Sequence, residues 1–172
     1  MRKEAATQMA ARNSCYLPRV RFRLIDTILE RDATRVVALK NVSSSEEYLL
    51  DHFPGFPVLP GVFMIEAMAQ AAREVLNAKG KTRYVLGGVR ALRYGSFVRP
   101  GDGLRVEVTM EKELPDGSVS FKGSGTVVRA ALASGQNEDS VGAPSGVPDN
   151  AVSGRFTMRP IRDDSPIVTE SR

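Results

Sequence analysis

The chain has 172 residues, 42% hydrophobic and 26% charged, which suits one domain around one hydrophobic core. A net charge of +4 is too small to point to nucleic acid, and no apolar run is long enough to span a bilayer. One cysteine and one histidine exclude an intramolecular disulfide and a Cys/His zinc site; the lone Cys15 fits a reducing cytosol, so the expected location is cytoplasmic.

Residues 1–15 start basic but carry Glu4 and no continuous apolar stretch, so they read as an irregular terminus rather than a secretory signal. After Tyr16-Leu17-Pro18, the alternation of Val20, Phe22 and Leu24 with Arg21 and Arg23 reads as a strand, with a short helix as the alternative. Thr34–Val42 is rich in β-branched residues and reads as a second strand. The stretch Ser43–Phe53 reads as a loop or a single helical turn.

Pro60-Gly61 then opens the one strongly helical segment, which ends near Gly80. From Val62 to Ala72 it is apolar nearly all round, which predicts a buried helix. Glu66, Gln70, Arg73 and Asn77 recur at helical spacing and form one polar stripe. Strand patterns return at Arg83–Leu86 and Val89–Tyr94. Leu104–Leu114 alternates, with Leu104, Val106 and Val108 inward. Pro115-Asp116-Gly117 predicts a turn into an antiparallel partner over Ser118–Ala131. Residues 133–150 are rich in Ser, Gly, Pro and acids and read as a long loop. Val152–Ile161 reads as the last strand, and the remainder as a disordered tail. Strands, one helix, then antiparallel strands make an α+β layout.

Three features could carry chemistry. His52 sits in Asp51-His52-Phe53-Pro54-Gly55-Phe56-Pro57, a stiffened loop just before the helix. Its imidazole is the natural base near neutral pH, although a lone histidine is more often structural. Glu66 lies between Ile65 and Ala67 in the most apolar part of the helix. An unpaired carboxylate there would be costly. It is either a protonated general acid or a structural group bonded to Gln70 or Arg73. Finally, the free N–H groups of Gly61 and Val62 at the helix start could polarise a carbonyl. Phosphate-loop, dinucleotide, serine-elbow and HExxH patterns are absent.

The run His52-Phe53-Pro54-Gly55-Phe56-Pro57-Val58-Leu59-Pro60-Gly61-Val62, followed by Glu66-Ala67-Met68-Ala69-Gln70, resembles the signature of the FabZ-type β-hydroxyacyl-acyl-carrier-protein dehydratases. Weaker similarity covers Tyr16-Leu17-Pro18, Lys40-Asn41-Val42-Ser43 and Phe97-Val98-Arg99-Pro100-Gly101-Asp102. The resemblance implies a hotdog fold, a long central helix wrapped by a curved antiparallel sheet, over residues 16–161. It implies a homodimer, and in some relatives a trimer of dimers, with His52 of one subunit facing Glu66 of the other.

By the same resemblance, His52 is the base, Glu66 the acid and the Gly61 amide the carbonyl donor. Val58 orients the imidazole, while Phe63, Met64 and Gln70 contact the substrate. The implied reaction is dehydration of (3R)-hydroxyacyl thioesters to trans-2-enoyl thioesters in fatty acid or related acyl-chain biosynthesis, with no cofactor or metal. The expected partner is acyl carrier protein, or else a coenzyme A thioester, docked against the cations between Lys79 and Arg105. No nucleic acid or membrane is expected to bind. An enoyl-CoA hydratase, an acyl thioesterase and a non-catalytic acyl-binding protein are the alternatives. The chain departs from the family's pattern at Asp51, commonly Gly, at Arg19, usually His, and in the acidic stretch 133–150.

Overall fold

The computed structural model describes residues 22–129 and 149–161. The expectations for residues 1–15, for the tail after residue 161, for Val20 and Arg21, and for all but the end of the 133–150 loop lie outside the described residues.

Six strands and one helix follow one another as β1 (Thr27–Arg31), β2 (Arg35–Asn41), a 3-10 turn (Glu47–Leu49), α1 (Gly61–Ala78), β3 (Tyr84–Tyr94), β4 (Gly103–Glu113), β5 (Val119–Val128) and β6 (Asn150–Pro160). The strands form one sheet in the order β1-β2-β4-β5-β6-β3. Every pairing is antiparallel. The helix lies across the sheet and touches β2 through β6.

The predicted hairpin is present. Pro115–Gly117 turns β4 into β5, Gly117 adopts a positive φ of 81°, and its N–H donates to the Leu114 carbonyl. Leu104, Val106 and Val108 point into the core as their alternation requires. They meet Met64, Met68, Ala71, Ala72 and Val75 of α1, with Phe121, Phe156 and Met158 filling the far end. Each large side chain so buried contributes about 1.5–3 kcal/mol. The helix can lie this close because β5 carries Gly123 beneath it. A Cβ there would stand 2.6 Å from Met68 Sδ and 3.0 Å from Phe156 Cε1.

Three expectations change. Among the described residues the first strand begins at Thr27, and Phe22–Leu24 are not part of it, because the side chain of Gln70 occupies the backbone groups that a neighbouring strand would take. Its Oε1 accepts from Leu24 N at 2.9 Å and its Nε2 donates to Phe22 O at 3.1 Å. Phe22 is exposed while Leu24 is buried, so the two do not share a face as the expected strand would require.

The two candidate strands at residues 83–94 are one. Strand β3 runs unbroken past irregularities at Leu86/Gly88 and Arg90/Arg93, with Ala91 at φ 51° in the second.

The helix is not buried all round. One face is covered by the sheet, but Val62 is 64% exposed and Phe63, Ile65 and Glu66 are only half-buried. The far side of α1 and the edge strand β3 are uncovered in the single chain.

Candidate active site

The loop leading to α1 is held by its backbone. The 3-10 turn at Glu47–Leu49 is tied to β2 by the buried Lys40, whose Nζ donates to Glu46 Oε1 at 2.6 Å. Beyond it, Phe53 (φ 54°) and Gly55 (φ 85°) both adopt left-handed conformations, and Phe56 N–H closes the turn onto Phe53 O at 2.8 Å. Phe53 is a costly residue at such a φ, so the surrounding turn over-determines it. Leu59 N–H donates to Val98 O at 2.8 Å, fastening this loop to the one before β4.

His52 projects from this loop with its Nδ1 3.2 Å from the Val58 carbonyl oxygen. A carbonyl only accepts, so the contact favours the tautomer with the proton on Nδ1 and leaves Nε2 as an acceptor. The Phe53 ring stands edge-on to the imidazole, with centroids 4.5 Å apart.

The first turn of α1 lies beside His52. Pro60 is its cap and accepts from Phe63 N–H and Met64 N–H. The Gly61 and Val62 amides donate to no other described residue, so two oriented donors remain at the positive end of the helix. Gly61 has no room for a side chain: a Cβ would meet Tyr94 Cε1 at 2.7 Å and Cζ at 2.8 Å.

Around these groups lies a cavity of about 450 Å³. It is lined by His52, Phe53, Val58 and Leu59 of the loop, by Pro60, Gly61, Val62 and Met64 at the helix start, and by a wall of Tyr94, Gly95, Ser96, Phe97 and Ala151. The lining is mostly apolar with few polar groups, the usual composition of a small-molecule site. Burial pushes the Tyr94 phenol up from its ordinary pKa. The Ser96 hydroxyl donates to Asp149 Oδ1, and Arg129 holds the same carboxylate at 2.6 Å, so this wall is braced by an ion pair.

The cavity brings together His52, Val58, Gly61 and Met64 of the residues expected from sequence. It does not include Phe63, Glu66 or Gln70 of the same chain. Phe63 sits in an aromatic cluster with Phe22 and Tyr48, at centroid distances of 5.1 and 4.8 Å. Gln70 is engaged by the Phe22–Leu24 backbone and by Glu66, so its amide is not free for a substrate of this chain.

Glu66 lies on the uncovered face of α1 with its side chain 31% exposed. Its Oε1 accepts from Arg73 Nη1 at 2.9 Å and from Gln70 Nε2 at 3.2 Å. Of the two readings open from sequence, the single chain shows the bonded one: the stripe residues one and two turns on, Gln70 and Arg73, are its partners.

Tyr94, Ser96 and Phe97 were not singled out by sequence reasoning. Tyr94 reaches the cavity because β3 pairs with β6, placing it opposite Val152 and next to Ala151. Only Phe97 carried a signal, its place in the run Phe97–Asp102 that resembles the family.

Comparison with known proteins gives the family and the fold. Residues 29–136 match the ApeI-like family, described as ApeI dehydratase. The 3-hydroxyacyl-(acyl-carrier-protein) dehydratase FabZ of Ligilactobacillus salivarius (strain UCC118) is 46% identical over 94 residues, 52% of this chain and 66% of that protein. The chain thus spans just under two thirds of that relative's length. The FabZ of Clostridium perfringens (strain SM101 / Type A) is 42% identical over 120 residues, 67% of this chain and 84% of that protein. Among solved structures, the dehydratase heterocomplex ApeI:P from Xenorhabdus doucetiae has a TM-score of 0.57 at 19% identity, covering 81% of this chain and 84% of that one. A hypothetical thioesterase protein with coenzyme A from Streptococcus pneumoniae TIGR4 has a TM-score of 0.51 at 15% identity, covering 77% of this chain and 82% of that one. At such identities these structures speak for the fold alone, which is the hotdog arrangement of dehydratases and thioesterases. With its family match extending over more than half its length, the chain belongs to the ApeI-like dehydratase family and is related to the FabZ dehydratases.

Proposed function

We propose that the protein is a hydro-lyase that dehydrates (3R)-hydroxyacyl thioesters borne on acyl carrier protein. The observation that carries this reading is His52 beside two free amides of the α1 N-terminus, at the wall of an apolar cavity. The α-proton of a thioester is weakly acidic, so its removal needs both a placed base and stabilisation of the developing oxyanion. His52 Nε2 takes the proton from C2, and the Gly61 N–H receives the thioester oxygen. The C2 electron pair forms the new double bond as the C3–O bond breaks. The leaving hydroxyl takes a proton from a carboxylic acid and departs as water, giving the trans-2-enoyl thioester.

Glu66 of a second copy delivers that proton; because its carboxylate is ion-paired with Arg73 in the single chain, it must first take up a proton from water. Two features support this. Glu66 is outside the His52 cavity of its own chain, and it stands on a helix face that the sheet leaves uncovered, together with Val62 and Ile65. A homodimer joined along that face, with β3 at its seam, would cover both the helix and the open sheet edge. Phe63 and Gln70 would then bear on the site as supports of Glu66. Met64 lines the apolar cavity that would take the acyl chain. Among the described residues no helix is long and apolar enough to cross a membrane.

The test is absorbance-monitored interconversion of 3-hydroxyacyl and trans-2-enoyl thioesters, on acyl carrier protein and on coenzyme A, with wild type and His52→Ala. Turnover that disappears in the variant is the expected result. No turnover by the wild type with either carrier at any chain length would overturn the proposal.

A further inference from the structure

The cations between Lys79 and Arg105 differ sharply in what they do. Lys81 pairs with Glu113 at 2.6 Å, Arg105 with Glu107 at 3.1 Å, and Arg83 also has a partner. Their charges are already balanced. Arg93 neighbours Tyr94 on a strand, so it points to the face opposite the cavity.

Arg99 is different. Its guanidinium lies 4.7 Å from the centroid of the Phe56 ring, and no carboxylate pairs with that guanidinium among the described residues. Phe56 in turn stands edge-on to Phe97, at 5.5 Å, and Phe97 lines the cavity. The chain of contacts from Arg99 to the cavity is therefore two rings long. Both rings are exposed, Phe56 by 41% and Phe97 by 55%, so the row is open to solvent and ends on a residue that lines the cavity.

The row is also held in place. Arg99 N–H donates to Asp102 Oδ2 at 3.0 Å and its carbonyl accepts from Asp102 N–H at 2.9 Å, which fixes the backbone turn. The bond from Leu59 N–H to Val98 O joins the two loops that carry the rings. A guanidinium oriented by an aromatic face keeps its donor fork free and loses little entropy when it binds. Such a fork suits a phosphate oxygen pair.

We propose that Arg99 recognises the phosphate at the end of a pantetheine arm, with Phe56 and Phe97 flanking the arm as it enters the cavity. The assignment rests on the reading of the cavity as a thioester site. The thioester carbonyl lies inward at Gly61, so the far, phosphorylated end of the arm must emerge outward, and Arg99 is a cation next to the cavity lining with no carboxylate on its guanidinium among the described residues. The same phosphate ends the arm of an acyl carrier protein and of coenzyme A.

Binding of two probes, an S-alkyl pantetheine thioether and its 4′-phosphate, to the full chain by calorimetry tests this without turnover. The wild type should bind the phosphorylated probe roughly ten-fold more tightly, as one charge-assisted contact gives. Arg99→Gln should lose that increment and Arg99→Lys keep part of it, while affinity for the unphosphorylated probe reports any general damage to the fold. Equal binding of both probes by the wild type, or an increment that survives in Arg99→Gln, would overturn the proposal. Competition by holo-acyl carrier protein and by coenzyme A then assigns the arm's source. A phosphate increment that depends on Arg99 in a protein with no dehydratase turnover would sink the catalytic reading alone.

Discussion

The Nδ1 of His52 lies 3.2 Å from the carbonyl oxygen of Val58, six residues further on in the same loop. Because the carbonyl accepts only, the contact favours the neutral tautomer with its proton on Nδ1, whose Nε2 is the acceptor, and the residue lines the cavity. His52→Ala should lower kcat by about 10²–10⁴, the range of a general base, with the thermal melt and the oligomeric state unchanged. Retention of more than a tenth of wild-type turnover would remove His52 from the reaction.

Glu66 and Arg73 form a second pair, at 2.9 Å on the uncovered face of α1. If Glu66 completes a partner's site, Glu66→Gln and His52→Ala are each inactive alone but complementary in mixed dimers. Random exchange of equal amounts should restore roughly a quarter of the sites, since half of the dimers are mixed and each has one intact site. Measured recovery after subunit exchange, shown by a tagged protomer, checks this. No recovery despite exchange would place both residues of a site in one chain. Arg73→Ala removes the ion pair but no reacting group, so it should lower kcat less than Glu66→Gln does.

Gly61 and Tyr94 meet so closely that a Cβ on Gly61 would stand 2.7 Å from Tyr94 Cε1. Tyr94 is 52% exposed, so its ring can swing outward instead of straining the core. Gly61→Ala should therefore cost less stability than the roughly 1–3 kcal/mol of a core overpacking, yet reduce turnover strongly because the cavity wall moves. A double-mutant cycle makes the cause visible. Adding Gly61→Ala to a Tyr94→Ala background should lower Tm less than adding it to the wild type. Additive losses would show that the ring is not what excludes the methyl group.

The parts that sequence reasoning reached are those governed by local rules. The α1 start at Pro60-Gly61, the Pro115–Gly117 turn and the inward Leu104, Val106 and Val108 depend on neighbours within a few residues. So does the contact from His52 to Val58 within one stiff loop. What was missed depends on long-range partners. The strand expected near Phe22 does not form because Gln70, 48 residues away, occupies its backbone groups. The helix looked buried all round because an apolar sequence context does not reveal that only one face of it is covered. Tyr94 became a cavity residue through its pairing with Val152, across a separation that no local pattern encodes.

Strand β2 and strand β4 are joined on the surface by Arg35 and Glu107, at 2.8 Å, with Glu30 on the other side of the guanidinium. The side-chain hydrogen bond from Arg35 is the main cause that holds the Glu107 carboxyl below its ordinary value of 4.5, and Arg105 adds to it. A depressed carboxylate pKa contributes stability that is complete above the unfolded value and is lost as pH falls through the folded one. The loss should therefore begin near 4.5 and continue below it. Arg35→Gln should lower Tm at neutral pH and narrow the Tm difference between neutral and acid conditions, with the two proteins converging at the acid end. Because the pair is about one third exposed, added salt should shrink the difference as well. A Tm difference that stayed constant from neutral pH to well below 4.5 would mean that Arg35 stabilises the sheet through packing of its stem and not through the charge of Glu107.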